Sequence, residues 1–100
     1  NATQIATIRE QIKQAKSQID IFQGQANAAA EQYRMVNEEL GPKQQLYDKG
    51  YATNAAVMQL KRAATAFLSQ QQEFTGHVGR LQHLVSQLDS QIAQIEAITG

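Results

Sequence analysis

Apolar side chains recur every three to four residues along most of this chain, in two long runs. The first run contains no polar residue and comprises Ile5, Ile8, Ile12, Ala15, Ile19, Phe22, Ala26, Ala29, Tyr33, Val36 and Leu40. Alternate steps of three and four give an average period of about 3.5 residues, which is the heptad spacing of a coiled coil. The pattern therefore predicts a long helix whose apolar seam lies on another helix.

The second run follows the same spacing and contains one polar residue, Gln71. Its members are Val57, Leu60, Ala64, Phe67, Gln71, Phe74, Val78, Leu81, Val85, Leu88, Ile92 and Ile95. A second helix with a matching seam is predicted. The fold class expected from the two runs is all-α, a long two-helix antiparallel coiled-coil hairpin.

The two seams can be paired by their residue numbers. In an antiparallel pair the facing residues have numbers that add to a constant. When that constant is 100, nearly every apolar residue of one seam faces an apolar residue of the other seam. In this register Arg9 and Lys16 lie near Asp89 and Glu96, so that opposite charges meet beside the seam. A slip of one heptad would keep the seam but would require a longer loop, so the sequence leaves both registers open.

The centre of this pairing is Gly50, which can take positive φ without steric strain, and Thr53 follows as a residue able to cap a new helix. We expect a first arm over about residues 1–49, a tip at 50–53 and a second arm over about 54–98. Together they form a single hairpin domain over residues 1–100, and we interpret that domain as a piece of a longer protein.

Gly41 and Pro42 interrupt the first seam. Proline lacks the N–H that a helix needs, and its ring opposes the carbonyl one turn earlier. The next position of the seam is Lys43, so the heptad register fails at the same point. We expect the first arm to be kinked or briefly broken here and to resume as a helix from about Lys43 to Lys49.

Three glycines, Gly24, Gly76 and Gly79, fall at one level of the predicted hairpin. They indicate either a bendable or closely packed waist, or glycines tolerated on the surface. His77 and His83 are six residues apart and do not share a helix face, so each is interpreted as a surface residue.

Charge and composition exclude several classes of function. Nine Lys and Arg residues balance nine Asp and Glu residues, so the chain lacks the positive field that nucleic acid or an anionic membrane would require. There is no Cys, which removes disulfides and thiolate catalysis. No signal peptide and no apolar run of about 18 residues is present, so any membrane anchor is expected to lie outside this chain.

No motif in the sequence carries catalytic chemistry. A phosphate-binding glycine loop, a nucleophile elbow and a carboxylate cluster suited to a metal are all missing from the sequence. We therefore expect a protein that is not an enzyme and that has no cofactor, no metal and no catalytic residues.

Apolar and aromatic residues do concentrate beside the predicted turn. Leu46, Tyr47 and Tyr51 lie beyond the last layer of the seam. Tyrosine provides a large contact area together with a polar group, and it is common in binding sites. This favours a docking surface over simple packing of the loop.

At these residues the chain resembles the periplasmic adaptor proteins, also called membrane fusion proteins, of the hemolysin type. Their tips carry an Arg, then a Leu four residues on, then a Ser or Thr seven residues after the Leu. Leu46 and Thr53 match the last two positions, whereas Pro42 stands where the family has its Arg. The turn sequence Lys49-Gly50-Tyr51 and the length of the arms look more like the type I secretion branch than the drug-efflux branch.

The resemblance implies a hairpin that crosses the periplasm, in a parent protein anchored in the inner membrane. It implies three partners: a TolC-like outer-membrane channel at the tip, neighbouring hairpins in a homo-oligomer, and an inner-membrane transporter reached through other domains. The implied docking residues are Leu46, Tyr47, Lys49, Gly50, Tyr51, Thr53 and Asn54. A tripartite multidrug efflux adaptor and an unrelated structural coiled-coil arm are the alternatives that the sequence leaves open.

Overall fold

The computed structural model describes residues 1–99, which form two α-helices and no strand. Helix α1 spans Ala2–Asp48 and helix α2 spans Asn54–Thr99. The predicted all-α, two-helix hairpin is confirmed.

Each helix contributes to two compact units. The terminal unit consists of Asn1–Gly24 and the residues from Thr75 onward, and the tip unit consists of Gln25–Phe74. In both units a length of α1 packs against a length of α2, so each unit has its own portion of the seam as its core.

The most deeply buried residues are all members of the predicted seam. In the terminal unit they are Ile12, Ala15, Val78 and Leu88, and in the tip unit they are Ala26, Ala29, Val57 and Ala64. The other seam residues are half-buried, including the polar Gln71. Four of these eight buried residues are alanines, and small side chains in a seam allow two helices to approach each other closely.

Two contacts between the helices of the terminal unit agree with the predicted register. Arg9 Nη2 lies 3.6 Å from Glu96 Oε1, as the sequence predicts. The rings of Phe22 and His77 stack with their centroids 4.7 Å apart. The pairing expected between Lys16 and Asp89 does not form an ion pair in the described chain, which is consistent with the small energy of exposed pairs.

The break predicted at Gly41 and Pro42 is wrong. Helix α1 continues through Pro42 to Asp48. Proline removes one hydrogen bond of the ladder, but Pro42 is exposed to solvent and its ring does not occupy the seam. Packing of the seam on both sides of Pro42 is sufficient to keep the helix continuous. A bend in α1 at this position, without a break, stays a prediction.

The glycines of the predicted waist are not required by close packing within the chain. A Cβ added at Gly24 or Gly79 would meet no atom within 4 Å. At Gly76 it would meet only the guanidinium of Arg80, at 3.5 Å, which is an ordinary contact with a flexible side chain.

Candidate docking site at the tip

A Schellman turn ends helix α1 and fixes the backbone of the tip. Gly50 has a φ of 84°, in the left-handed region that glycine adopts without a Cβ clash. The N–H of Tyr51 donates to the carbonyl of Leu46 at 2.8 Å, and the N–H of Gly50 donates to that of Tyr47 at 2.9 Å. These two bonds satisfy carbonyls that the helix end would otherwise leave unpaired.

Helix α2 begins immediately afterwards with a side-chain cap. The N–H of Ala56 donates to Oγ1 of Thr53 at 3.1 Å, so the predicted cap at Thr53 is confirmed. One residue later Val57 is 2% exposed, the lowest exposure among the buried residues. The turn is therefore held by backbone bonds on one side and by a buried side chain on the other.

This fixed turn presents the apolar residues of the tip to solvent. Tyr51 is 79% exposed, Leu46 is 41% exposed and Tyr47 is 40% exposed. The remaining predicted docking residues, Lys49, Gly50, Thr53 and Asn54, are exposed as well. The structure thus places all seven predicted residues at the exposed tip, from the last turn of α1 to the first residue of α2.

The charges of the tip balance. Asp48 accepts a hydrogen bond from Nε2 of Gln44 at 3.0 Å, while Lys49 beside it is exposed. A surface that combines apolar area, two phenol groups and one charge of each sign is suited to binding another protein.

Helix α1 carries no arginine at the motif position next to the tip. Pro42 fills the position of the family Arg and Lys43 beside it is half-buried. Further along the helix, Arg34 pairs with both Glu31 and Glu38. Hydrogen bonding from the Arg34 guanidinium holds the pKa of Glu31 below its ordinary value.

Sequence reasoning missed two features of these helices. The double pairing of Arg34 could have been found from its spacing, because residues three and four apart share a helix surface. The stacking of His77 on Phe22 could not, because it depends on where α2 places the ring. His77 is half-buried against Phe22, and its Nδ1 lies 3.0 Å from Nη2 of Arg80, which corrects its interpretation as a surface residue.

Residues 1–99 contain neither a membrane-spanning helix nor a cluster of metal-binding side chains. Neither α1 nor α2 contains a stretch apolar enough to cross a membrane. No group of three or more His, Asp or Glu residues in this part of the chain is arranged to hold a metal ion.

Comparison with known families gives a match over almost the whole chain. Residues 1–98 match the family described as AprE, long alpha-helical hairpin. Neither the curated proteins nor the solved structures give a significant match. The chain therefore belongs to the AprE family of long alpha-helical hairpins, which are parts of membrane fusion adaptor proteins.

Proposed function

We propose that this chain is the periplasmic hairpin of a type I secretion adaptor, and that its tip docks onto a TolC-like outer-membrane channel. The hairpin has no catalytic role in this proposal. Other domains of the parent protein bind the inner-membrane transporter, and the hairpin bridges the distance to the channel.

The observation that carries the proposal is the exposure of Leu46, Tyr47 and Tyr51 on a turn whose backbone is fixed. Single exposed apolar side chains are common on protein surfaces, whereas several of them grouped in one place are typical of an interface. A fixed turn loses little conformational entropy on binding, so more of the contact energy is available for affinity.

Family membership supports the adaptor over an unrelated coiled-coil arm. The match covers residues 1–98, which include both arms and the tip. The secretion branch is preferred over drug efflux because the Lys49-Gly50-Tyr51 turn and the long arms resemble it.

Photocrosslinking from the tip tests the proposal directly. A photoreactive amino acid is placed at Tyr51 in the full-length parent protein, and cells are irradiated while the transporter is active. A crosslink from this position to the outer-membrane channel is expected.

The matched control carries the same photoreactive amino acid at Ser69, an exposed residue of α2 within the tip unit. This position should give no crosslink to the channel. If Tyr51 and Ser69 crosslink to the channel equally, or if neither does, the tip is not the docking site.

A further inference from the structure

Pro42 leaves one backbone acceptor of helix α1 without its helical donor. In an α-helix each carbonyl accepts from the N–H four residues later, and proline has no N–H to donate. The carbonyl affected by Pro42 is that of Glu38, and both residues are exposed. Because α1 continues through this point to Asp48, the carbonyl lies on the surface of an intact helix and can accept a hydrogen bond from outside it.

Little of the chain covers this carbonyl. Helical side chains lean toward the N-terminus, so the side chains at positions 41 and 42 extend over the turn that carries the Glu38 carbonyl. Gly41 has no side chain, and a Cβ added there would meet no atom within 4 Å. The ring of Pro42 opposes the same carbonyl and favours its outward tilt. The acceptor is therefore accessible from the side of Gly41.

The acceptor is directed toward the proposed docking surface. Helical carbonyls point toward the C-terminal end of their helix, which for α1 is the tip. Leu46 lies four residues after Pro42, on the same face of the helix, and is 41% exposed. A protein that covers Leu46 would therefore come within about one helical turn of the Glu38 carbonyl.

The charges beside this carbonyl are mainly negative. Arg34 pairs with Glu31 and Glu38, so one cation serves two carboxylates. Glu39 is exposed and forms no ion pair within residues 1–99, and Lys43 is half-buried. A carbonyl next to such a carboxylate favours a positively charged donor, whose hydrogen bonds are stronger than those of a neutral one.

We propose that the backbone carbonyl of Glu38 accepts a hydrogen bond from an arginine or lysine side chain of the outer-membrane channel. The carboxylate of Glu39 balances the charge of that side chain. Water can solvate the carbonyl in the free hairpin, and the donor of the channel replaces it when the tip docks. This inference rests on the proposed docking of the tip, and it specifies the chemical group that the partner contributes beside the apolar contact.

Pro42→Ala gives the first test, because it restores the missing N–H and pairs the Glu38 carbonyl within the helix. The variant should melt at a higher temperature than the wild type, since alanine favours a helix interior and proline does not. Its affinity for the purified channel should nevertheless fall about tenfold, because a hydrogen bond from a charged group is lost. Both measurements use the full-length parent protein. Gln32→Ala, at an exposed position of α1, is the matched control and should bind the channel normally.

Gly41→Leu separates the accessible carbonyl from the shape of the helix. This variant keeps Pro42 and any bend that it causes, but its side chain covers the acceptor. Helicity should be retained, because position 41 faces open space, while the affinity for the channel should fall. The proposal is overturned if both variants bind the channel as the wild type does. It is also overturned if only Pro42→Ala binds weakly, because the shape of the helix would then be responsible.

A double-mutant cycle identifies the donor on the channel. A photoreactive amino acid at Gln45, an exposed residue one turn after Gly41, should crosslink to a channel peptide that contains arginine or lysine. When that residue is changed to alanine, Pro42→Ala should weaken binding no further. Additive losses, or a peptide without a cation, would contradict the proposal.

The crosslink from Tyr51 distinguishes this inference from the proposed function. If Tyr51 crosslinks to the channel while Pro42→Ala leaves the affinity unchanged, the tip docks but the Glu38 carbonyl is not part of the contact. If Tyr51 gives no crosslink, docking by the tip is wrong, and the inference about Glu38 is wrong with it.

Discussion

The imidazole of His77 stacks on the ring of Phe22 across the two helices, with 4.7 Å between centroids and 21° between the ring planes. Nδ1 of the same imidazole lies 3.0 Å from Nη2 of Arg80 one turn later in α2. Since the Arg side chain can only donate, Nδ1 accepts. The stack therefore connects α1 to α2, and the hydrogen bond holds the ring in place.

This contact predicts different roles for the two histidines. His77→Ala removes the stacking interaction and leaves Arg80 without its acceptor, which should lower the free energy of unfolding by about 1 kcal/mol. His83→Ala, at an exposed position of the same helix, should change it little. Thermal melts followed by circular dichroism measure both, and equal effects of the two substitutions would contradict the stack.

The same substitution should have opposite effects at two glycines. Gly50→Ala places a Cβ on a residue with a φ of 84° and should destabilise the hairpin by about 1 kcal/mol. Gly24→Ala lies in a helix, with no atom within 4 Å of the added Cβ. It should stabilise the hairpin by about 0.5–1 kcal/mol, because alanine favours the helix. Urea denaturation of both variants tests the pair, and a loss of stability at both positions would be inconsistent with it.

Packing beneath the tip depends on Val57. This side chain is 2% exposed, so Val57→Ala should cost about 1.5–3 kcal/mol through lost burial and the cavity that remains. Met58→Ala is a matched control one residue later, because Met58 is 38% exposed. Met58→Ala should lower the melting temperature clearly less than Val57→Ala does. A larger decrease for Met58→Ala would show that Val57 does not stabilise the turn.

The stability contributed by Glu31 should depend on pH in one direction. Its pKa is lowered from the ordinary value of 4.5 because it accepts hydrogen bonds from Arg34. A carboxyl with a lowered pKa stabilises the folded state above its ordinary pKa, and this contribution disappears as the pH falls through the folded-state value. The difference in melting temperature between the wild type and Glu31→Gln should therefore be present at neutral pH and absent in strong acid.

The control for this experiment is Glu39→Gln, because Glu39 forms no ion pair in the described chain. At neutral pH, Glu39→Gln should change the melting temperature less than Glu31→Gln does. A difference for Glu31→Gln that persists unchanged in strong acid would mean that the carboxylate is not the source of the effect.

Docking by the tip predicts a functional defect without unfolding. Leu46→Asp places a charge in the proposed contact. Burying an unpaired charge at an interface costs on the order of several kcal/mol, which is enough to abolish a transient contact. Leu46 is already 41% exposed, so the helicity of the hairpin should be retained. Export by the full transporter and circular dichroism of the purified variant are the two measurements.

Arg62→Asp is the control, because it introduces the same aspartate at an exposed position of α2 outside the turn. Export that survives Leu46→Asp in a folded protein would remove Leu46 from the docking surface. Loss of helicity in the same variant would show instead that Leu46 is structural.

The sequence by itself determined the two helices, the seam between them and the location of the turn. A heptad pattern held over five repeats specifies which side of each helix must be buried, whatever the details of packing. Gly50 and Thr53 specify the turn locally, because positive φ and an N-cap are properties of single residues. These features require no knowledge of distant contacts.

Tertiary structure decided the features that depend on two elements together. Helix α1 continues through Pro42 because the energy of packing along the seam exceeds the loss of one hydrogen bond, a balance that local rules do not contain. The ring of His77 is half-buried because α2 brings it over Phe22. Arg9 finds its ionic partner while Lys16 does not, since exposed side chains pair only where their rotamers and separation allow.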